Sequence, residues 1–428
     1  MESRTQLAPR AYTFARPIVG LVAGINEVRH RIMGHAGAFT IPGEPNAKEK
    51  IDALSLAGVT IVNHPSKIGD VLKLQLSSGW AKRPGSTTIK TINTQQHRQL
   101  STGGRRPGVQ PYRECPGQHR RHLYLTGRVP MDMLRETGQV SCDPDSRTGV
   151  GRTLGIGIDR STRSPCVIAR SPFGNSGSVK RFPFEFQRGP DELNYKRIAD
   201  HLQVSSSQNT VSSLRQIIGA LKDIFYEKEA FLLTTKIVEG PGALTVVDAW
   251  FGFDDAAFRV GGRQKAVHEL RNLAVEDASE FEAEKSGIVY LKLEGNGTIG
   301  TLVNGAGLAM NTVDALADSG GMAANFLDTG GKATSETVKR SFEIILQDPG
   351  VRVIFVNIFG GLTLGDMIAR GIIMAFKDLS LKIPVVVRIR GTNEKEGQAL
   401  IAESGLPLYA FDDFDDACTK AIELSRER

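Results

Sequence analysis

The sequence predicts an α/β protein whose carboxyl-terminal part is a flavodoxin-like parallel sheet. From Ile288 onward, apolar strands alternate with amphipathic helices across short loops, which argues parallel strands joined by right-handed crossovers. Glycine-rich turns follow the strands in TLVNGAGLAM (Thr301–Met310), ANFLDTGGKATS (Ala324–Ser335) and VIFVNIFGGL (Val353–Leu362), at the strand ends where open α/β sheets bind ligands.

The strands predicted there are 288–293, 299–303, 324–327, 351–357 and 383–389. The helices are 308–318, 335–346, 366–377, 395–403 and 414–426. Each glycine-rich turn leads into a helix, whose free backbone N–H groups and positive dipole end favour a phosphate or carboxylate. Glycine lets the backbone approach such a group. A tight turn with no ligand is the plainer reading of any one of them.

Toward the amino terminus, PIVGLVAG (Pro17–Gly24) reads as a strand. AKEKIDALSLAG reads as a helix with Ile51, Ala53, Leu54, Leu56 and Ala57 on one apolar face. VTIVNHP is a second strand and IGDVLKLQL a second helix, together half of a doubly wound unit over 16–78. Residues 79–150, rich in Pro, Gly, Arg and Gln, show no sustained period and read as an irregular linker, disordered or a gene-model error. Structure resumes with two strands about a polar turn (Thr153–Ser171), helices at 195–203 and 210–228, and a hairpin of 231–239 with 242–249. A charged helical connector follows, and the last domain spans 286–428.

Composition narrows the function. The 428 residues are 40% hydrophobic and 23% charged, as in ordinary globular proteins. No apolar run reaches the roughly 18 residues of a membrane span. The four cysteines, Cys115, Cys142, Cys166 and Cys418, have no ligand spacing and read as buried or incidental thiols. The net charge of +6 is concentrated in the irregular stretch and not on a helical stripe, so nucleic-acid binding is not expected. The start, MESRTQLAPRAYTFAR, fits a short mitochondrial targeting segment and a ragged beginning equally well.

The run VNGAGLAM, ANFLDTGG, VNIFGG and KIPVVVRIRGTN resembles the carboxyl-terminal half of the succinyl-CoA synthetase (succinate–CoA ligase) β subunit, from about Gly287 to Ser425. DRSTRSPCVIA resembles a hairpin of that subunit's nucleotide domain, which makes 151–272 a partial ATP-grasp-like region. PIVGLVAG, RIMGHAGAF and the AKEK helix resemble the carboxyl-terminal part of the α subunit of the same enzyme. The chain thus looks like an α-subunit fragment fused to a divergent, partly truncated β subunit. ATP-citrate lyase, the related fused enzyme, carries its β-like part first, and the order here is reversed.

The resemblance implies formation of succinyl-CoA from succinate and coenzyme A with hydrolysis of ATP or GTP, through a phosphohistidine. His35 of GHAG matches the phosphorylated histidine. Asn304 matches a substrate-contacting asparagine whose amide can donate to a carboxylate, and Gly361, Leu362 and Thr363 match a substrate loop. Gly330, Gly331 and Thr334 match the helix N-terminus that faces the phosphohistidine. Leu364 and Gly365 stand where the family usually has an arginine and a cysteine. Magnesium would be expected with the nucleotide, but only Asp248 survives of its ligands. Thr234 falls at the asparagine position, Leu232 at the glutamate position, and Trp250 replaces a lysine. The expected partners are succinate, coenzyme A, nucleotide, and an α-type subunit or further copies of the chain, in the mitochondrion. A catalytically impaired paralogue serving as a subunit or interaction protein is the alternative, and ATP-citrate lyase-like activity a third.

Overall fold

The computed structural model describes residues 16–26, 33, 40–77, 123–138, 140–146, 149–172, 178–240, 242–254, 258, 263–271, 277–331 and 333–427. These divide into two compact units. One takes 16–26, 47–77 and 285–427, and the other takes 33, 40–46 and 123–284.

Near the amino terminus, β1 (Val19–Leu21) pairs in parallel with β2 (Thr60–Val62), and α1 (Ala47–Leu56) lies between them in sequence. α2 (Ile68–Ser77) follows a short 3-10 turn whose cap is the His64 side chain, accepting from the Ser66 N–H. The predicted β–α–β–α order is present. The predicted apolar face of α1 is not buried: no α1 residue is, and Leu56 is 73% exposed. Periodicity shows that a helix has an apolar side, not what covers it.

The second unit is a six-stranded antiparallel sheet with helices on one face. In chain order it contains β3 (Leu123–Thr126), α3 (Arg128–Glu136), β4 (Arg152–Asp159), β5 (Ser164–Arg170), β6 (Val179–Pro183), α4 (Glu192–Leu202), α5 (Gln208–Glu227), β7 (Ala230–Glu239), β8 (Leu244–Phe253), α6 (Lys265–Glu269) and α7 (Ala278–Lys285). The strand order is β3-β8-β7-β4-β5-β6. Alternate residues of the strands, such as Leu154, Ile156, Leu233, Ile237, Phe251 and Phe253, meet Ile198, Leu214, Ile218 and Leu221 of the helices in one core. Asp191 and Ser207 cap α4 and α5 by accepting the N–H groups of Asn194 and Thr210.

One expectation is corrected here. Residues 79–150 are not irregular throughout, because Leu123–Thr126 adds an edge strand to β8 and Arg128–Glu136 is a helix. Leu123 and Leu125 alternate into the core, and Pro130 falls in the first turn, where a missing N–H costs nothing. The charged connector is helical as expected, with α6 and α7 among its described residues.

The carboxyl-terminal part of the first unit continues with β9 (Val289–Lys292), β10 (Ile299–Val303), α8 (Ala306–Asp318), β11 (Asn325–Asp328), α9 (Ser335–Ile345), β12 (Val353–Gly360), α10 (Gly365–Asp378), β13 (Val385–Gly391), α11 (Glu394–Glu403), β14 (Leu408–Phe411) and α12 (Phe414–Arg426). The sheet order is β14-β13-β12-β10-β11-β9. Strands β10 to β14 are parallel, as expected for buried apolar strands covered on both faces. The edge strand β9 is antiparallel to β11, which corrects the all-parallel expectation. Parallel strands need a crossover of roughly a dozen or more residues. Only 293–298 separates β9 from β10, so β9 runs the other way.

The amino-terminal segment joins this unit through side chains of α8 and α12. The Asp314 carboxylate accepts the backbone N–H groups of Gly24 (2.7 Å), Ile25 (3.0 Å) and Asn26 (2.8 Å) and the Asn26 side-chain amide (2.9 Å). Asn311 Nδ2 donates to the Asn63 carbonyl at 2.6 Å, and Lys67 pairs with Asp415 at 3.1 Å. The His64 ring stacks on Phe414 with centroids 3.6 Å apart and planes 11° from parallel. Burial, then the positive charges of Arg388 and Lys67, push the imidazole down to about 3.

Candidate active site at the carboxyl edge of the parallel sheet

Three loops at the carboxyl ends of β10, β11 and β12 carry the predicted substrate and phosphate residues, and polar side chains tie them together. Asn304, directly after β10, is buried. Its Nδ2 donates to the Phe359 carbonyl and to Thr363 Oγ1, both at 3.0 Å, and its Oδ1 accepts the Phe359 N–H at 2.9 Å. Thr363 is also buried, and its hydroxyl donates to the Gly331 carbonyl at 2.9 Å. One asparagine and one threonine thus link all three loops.

Asp328 ends β11 and makes a second link. Its Oδ1 accepts the Gly305 N–H at 2.5 Å and the Gly330 N–H at 2.7 Å. The loop after β13 joins as well: Thr392 Oγ1 donates to the Gly361 carbonyl at 3.0 Å, and the Gly365 N–H donates to the Thr392 carbonyl at 2.8 Å. Strands β12 and β13 approach so closely here that a Cβ on Gly391 would lie 2.1 Å from the Gly360 carbonyl oxygen. Asn393 Nδ2 donates to Asp366 at 2.9 Å in the first turn of α10. That amide, then the N–H groups of Asp366 and Met367, hold the Asp366 carboxyl below the usual carboxylate range.

The predicted substrate and phosphate residues are therefore adjacent, with an altered division of labour. Both amide hydrogens of Asn304 are committed within the protein, so it holds the loop in place of offering a free donor. The Gly330 N–H is likewise taken, by Asp328. Gly331, Gly361 and Leu362 are exposed, Leu362 at 80%, and together with the start of α9 they are the part of the edge open to a ligand. Thr334 is the N-cap of α9, its hydroxyl accepting the Thr337 N–H at 3.2 Å. The helix begins where the GGKATS turn places it, with the positive end of its dipole at this edge.

The expected metal position does not hold together. Asp248, on β8, is exposed, and its Oδ1 accepts the N–H of the next residue, Ala249, at 2.9 Å. Its cross-strand partner is Lys236, and Thr234 Oγ1 donates to the Trp250 carbonyl at 3.4 Å. Among the described residues no group of three or more His, Cys, Asp or Glu side chains could hold a metal ion. Magnesium usually takes one or two carboxylates plus phosphate oxygens. Asp248, alone beside a lysine, does not fit it. Trp250 instead packs with Tyr124 and Phe231, at centroid distances of 5.3 and 6.3 Å.

A protein-family model described as CoA-ligase matches residues 302–422, the segment holding all of the tied loops. The mitochondrial β subunit of the ADP-forming succinate–CoA ligase of Saccharomyces cerevisiae is 38% identical over 287 residues, 64% of this chain and 66% of that protein. The corresponding β subunit of Cupriavidus taiwanensis is 44% identical over 215 residues, 50% and 54% of the two chains. That of Burkholderia thailandensis is 37% identical over 280 residues, 63% of this chain and 70% of that protein. The chain belongs to the succinate–CoA ligase β-subunit family. It spans less than two thirds of the yeast and Cupriavidus proteins. Among solved structures, an ATP citrate lyase from Methanothrix soehngenii in complex with citrate and coenzyme A is similar with a TM-score of 0.48 and 17% identity, over 66% of this chain and 74% of that one. A likeness at that level decides nothing about activity.

Within this family setting, sequence reasoning missed Asp328 and Thr392, which brace the loops. Their signal was present as a polar residue at a strand end beside glycine, in LDTGG and RGTN. His35 lies outside the described residues. Cys166 and Cys418 are buried, and burial pushes both thiols up to about 12, as befits structural cysteines. No helix among the described residues is long and apolar enough to cross a membrane.

Proposed function

We propose that this chain is a catalytic component of a succinate–CoA ligase that forms succinyl-CoA from succinate and coenzyme A, converting a nucleoside triphosphate to the diphosphate and phosphate. The observation that carries this reading is the tied carboxyl edge, where the exposed Gly361–Leu362 turn and the Thr334-capped start of α9 are held in fixed relation by Asn304, Thr363 and Asp328. Phosphoryl transfer of this kind depends on positioning and on charge stabilisation. A backbone turn and a helix N-terminus, preorganised before any ligand arrives, supply both.

In this reading the α9 N-terminus with Gly331 favours a phosphoryl group, and His35 is the residue expected to carry one. The Gly361–Leu362 turn receives the succinate carboxylate, and Asn304 positions that turn. Leu364 and Gly365 bring no positive charge there, so in this reading backbone N–H groups and helix dipoles hold succinate. Asp248 supplies no metal site, and no step is assigned to a metal. The mitochondrion is the expected compartment, since the yeast relative is named as mitochondrial.

Labelled nucleotide tests this. Incubate the chain with γ-labelled ATP or GTP and magnesium, alone and with a family α subunit, and measure acid-labile, base-stable label. Label that disappears in His35→Asn supports phosphoryl capture by this chain's own histidine. Label that needs the added subunit and survives His35→Asn supports service to another histidine. Absence of label from folded protein in both mixtures overturns the catalytic reading.

A further inference from the structure

We infer that residues 16–26 and 47–77 are a built-in partner, filling in cis the α8–α12 face that a separate α-type polypeptide would otherwise occupy. The inference rests on the reading of this segment as α-like. What it adds is the competition between the chain's own segment and a partner.

The geometry carries it. An ionised carboxylate offers about four lone-pair sites. All four of Asp314's are filled by the Gly24, Ile25 and Asn26 N–H groups and the Asn26 amide, and the residue is 4% exposed. An α-type chain presenting a turn of the same kind would find no acceptor left. Around this anchor, Asn311 holds the Asn63 carbonyl, His64 covers Phe414, and Lys67 pairs with Asp415. The contacts include charge pairing, ring stacking and backbone capture, spread over two helices, so they specify one seating and not a loose association. A separate α-type subunit gains this face only if the segment leaves.

The experiment uses the full chain, with hydrogen exchange of the 22–26 amides and binding of a purified family α subunit as readouts. In the wild type those amides exchange slowly and the subunit does not bind. In Asp314→Ala, loss of charge-assisted hydrogen bonds speeds exchange at Gly24–Asn26 by roughly tenfold or more, but that carboxylate is also the acceptor a subunit's turn would use, so recruitment is read in Lys67→Glu, which keeps it. Lys67→Glu, on the surface, speeds exchange by a smaller factor and lets subunit binding appear, and it decides the matter alone if Asp314→Ala does not fold. Wild-type binding with the 22–26 amides still protected overturns the inference. So does a Lys67→Glu protein whose turn is released yet recruits no subunit, or an Asp314→Ala protein whose exchange is unchanged. None of these readouts involves nucleotide or turnover, so failure of the labelling experiment leaves them standing.

Discussion

Replacing Asn304 by alanine separates a loop clip from a ligand contact. The substitution removes two donated hydrogen bonds and one accepted one, taking one partner each from Thr363 Oγ1, the Phe359 carbonyl and the Phe359 N–H. Thr363 is 3% exposed, so its hydroxyl loses a partner that water does not replace, whereas Phe359 is 59% exposed and its backbone rehydrates in part. Taking about 1 kcal/mol for each part-buried bond and somewhat more for the buried one gives a loss of about 3 kcal/mol. For a domain of this size that lowers Tm by roughly 6–12 °C. Thermal unfolding of the ligand-free protein is the assay. Thr363→Val should lose about half as much, Thr363→Ser very little, and the double variant less than the sum of the singles, because the two residues share a bond. A ligand-free Tm unchanged to within about 1 °C, with a raised KM for succinate, would refute the clip and return Asn304 to the role of a direct contact.

Other outcomes follow from packing and charge. His64 is buried and neutral, with its folded pKa depressed to about 3 from 6.5, so its contribution is complete above pH 6.5 and is lost as pH falls from there toward 3. One unit below the unfolded pKa the linkage loss is about 1.4 kcal/mol. Unfolding measured at pH 7.5 and 5.5 should show that difference in the wild type and lack it in His64→Gln. Gly391→Ala places a Cβ 2.1 Å from the Gly360 carbonyl at a φ of +122, and should cost more than about 2 kcal/mol in denaturant titration. Gly307→Ala, in α8 with open space around the added methyl, should instead leave stability unchanged or raise it by up to about 1 kcal/mol.

The carboxyl-terminal sheet was legible because its strands are buried on both faces and its helices are long enough to show a period. Val353–Ile358 is uniformly buried, and the helix after it places Ile368, Ile372 and Phe376 inward at helical spacing. The strand LYAF was missed because its residues are only half-buried or exposed, so no alternation marks it. LYLTGRVPMDMLRE was missed for a different reason. It is one short strand and one short helix, and its strand signal makes sense only beside β8, well over a hundred residues later. At the site, glycine patterns placed the turns but not the bracing. Periodicity does not encode which side chain spans from one loop to the next, so Asp328 and Thr392 were marked only by a polar residue beside glycine at a strand end. The same limit applies to Asn304, whose amide reads identically whether it faces a ligand or, as here, a neighbouring loop.

The bond between Asp314 and the turn at Gly24–Asn26 joins residues up to 290 positions apart. During synthesis at 5–20 residues per second, roughly 15–60 s pass between the emergence of the turn and that of its acceptor. Throughout that interval the turn has only water for its N–H groups. The exposed strand edges of β1 and β2 wait with it, and the whole middle unit is made first. Loop closure over such a span is slow to reward, so the segment made earliest is among the last to find its place. A ribosome stalled before Asp314 therefore displays the amino-terminal segment unanchored, and chaperone capture there should peak for nascent chains ending short of α8.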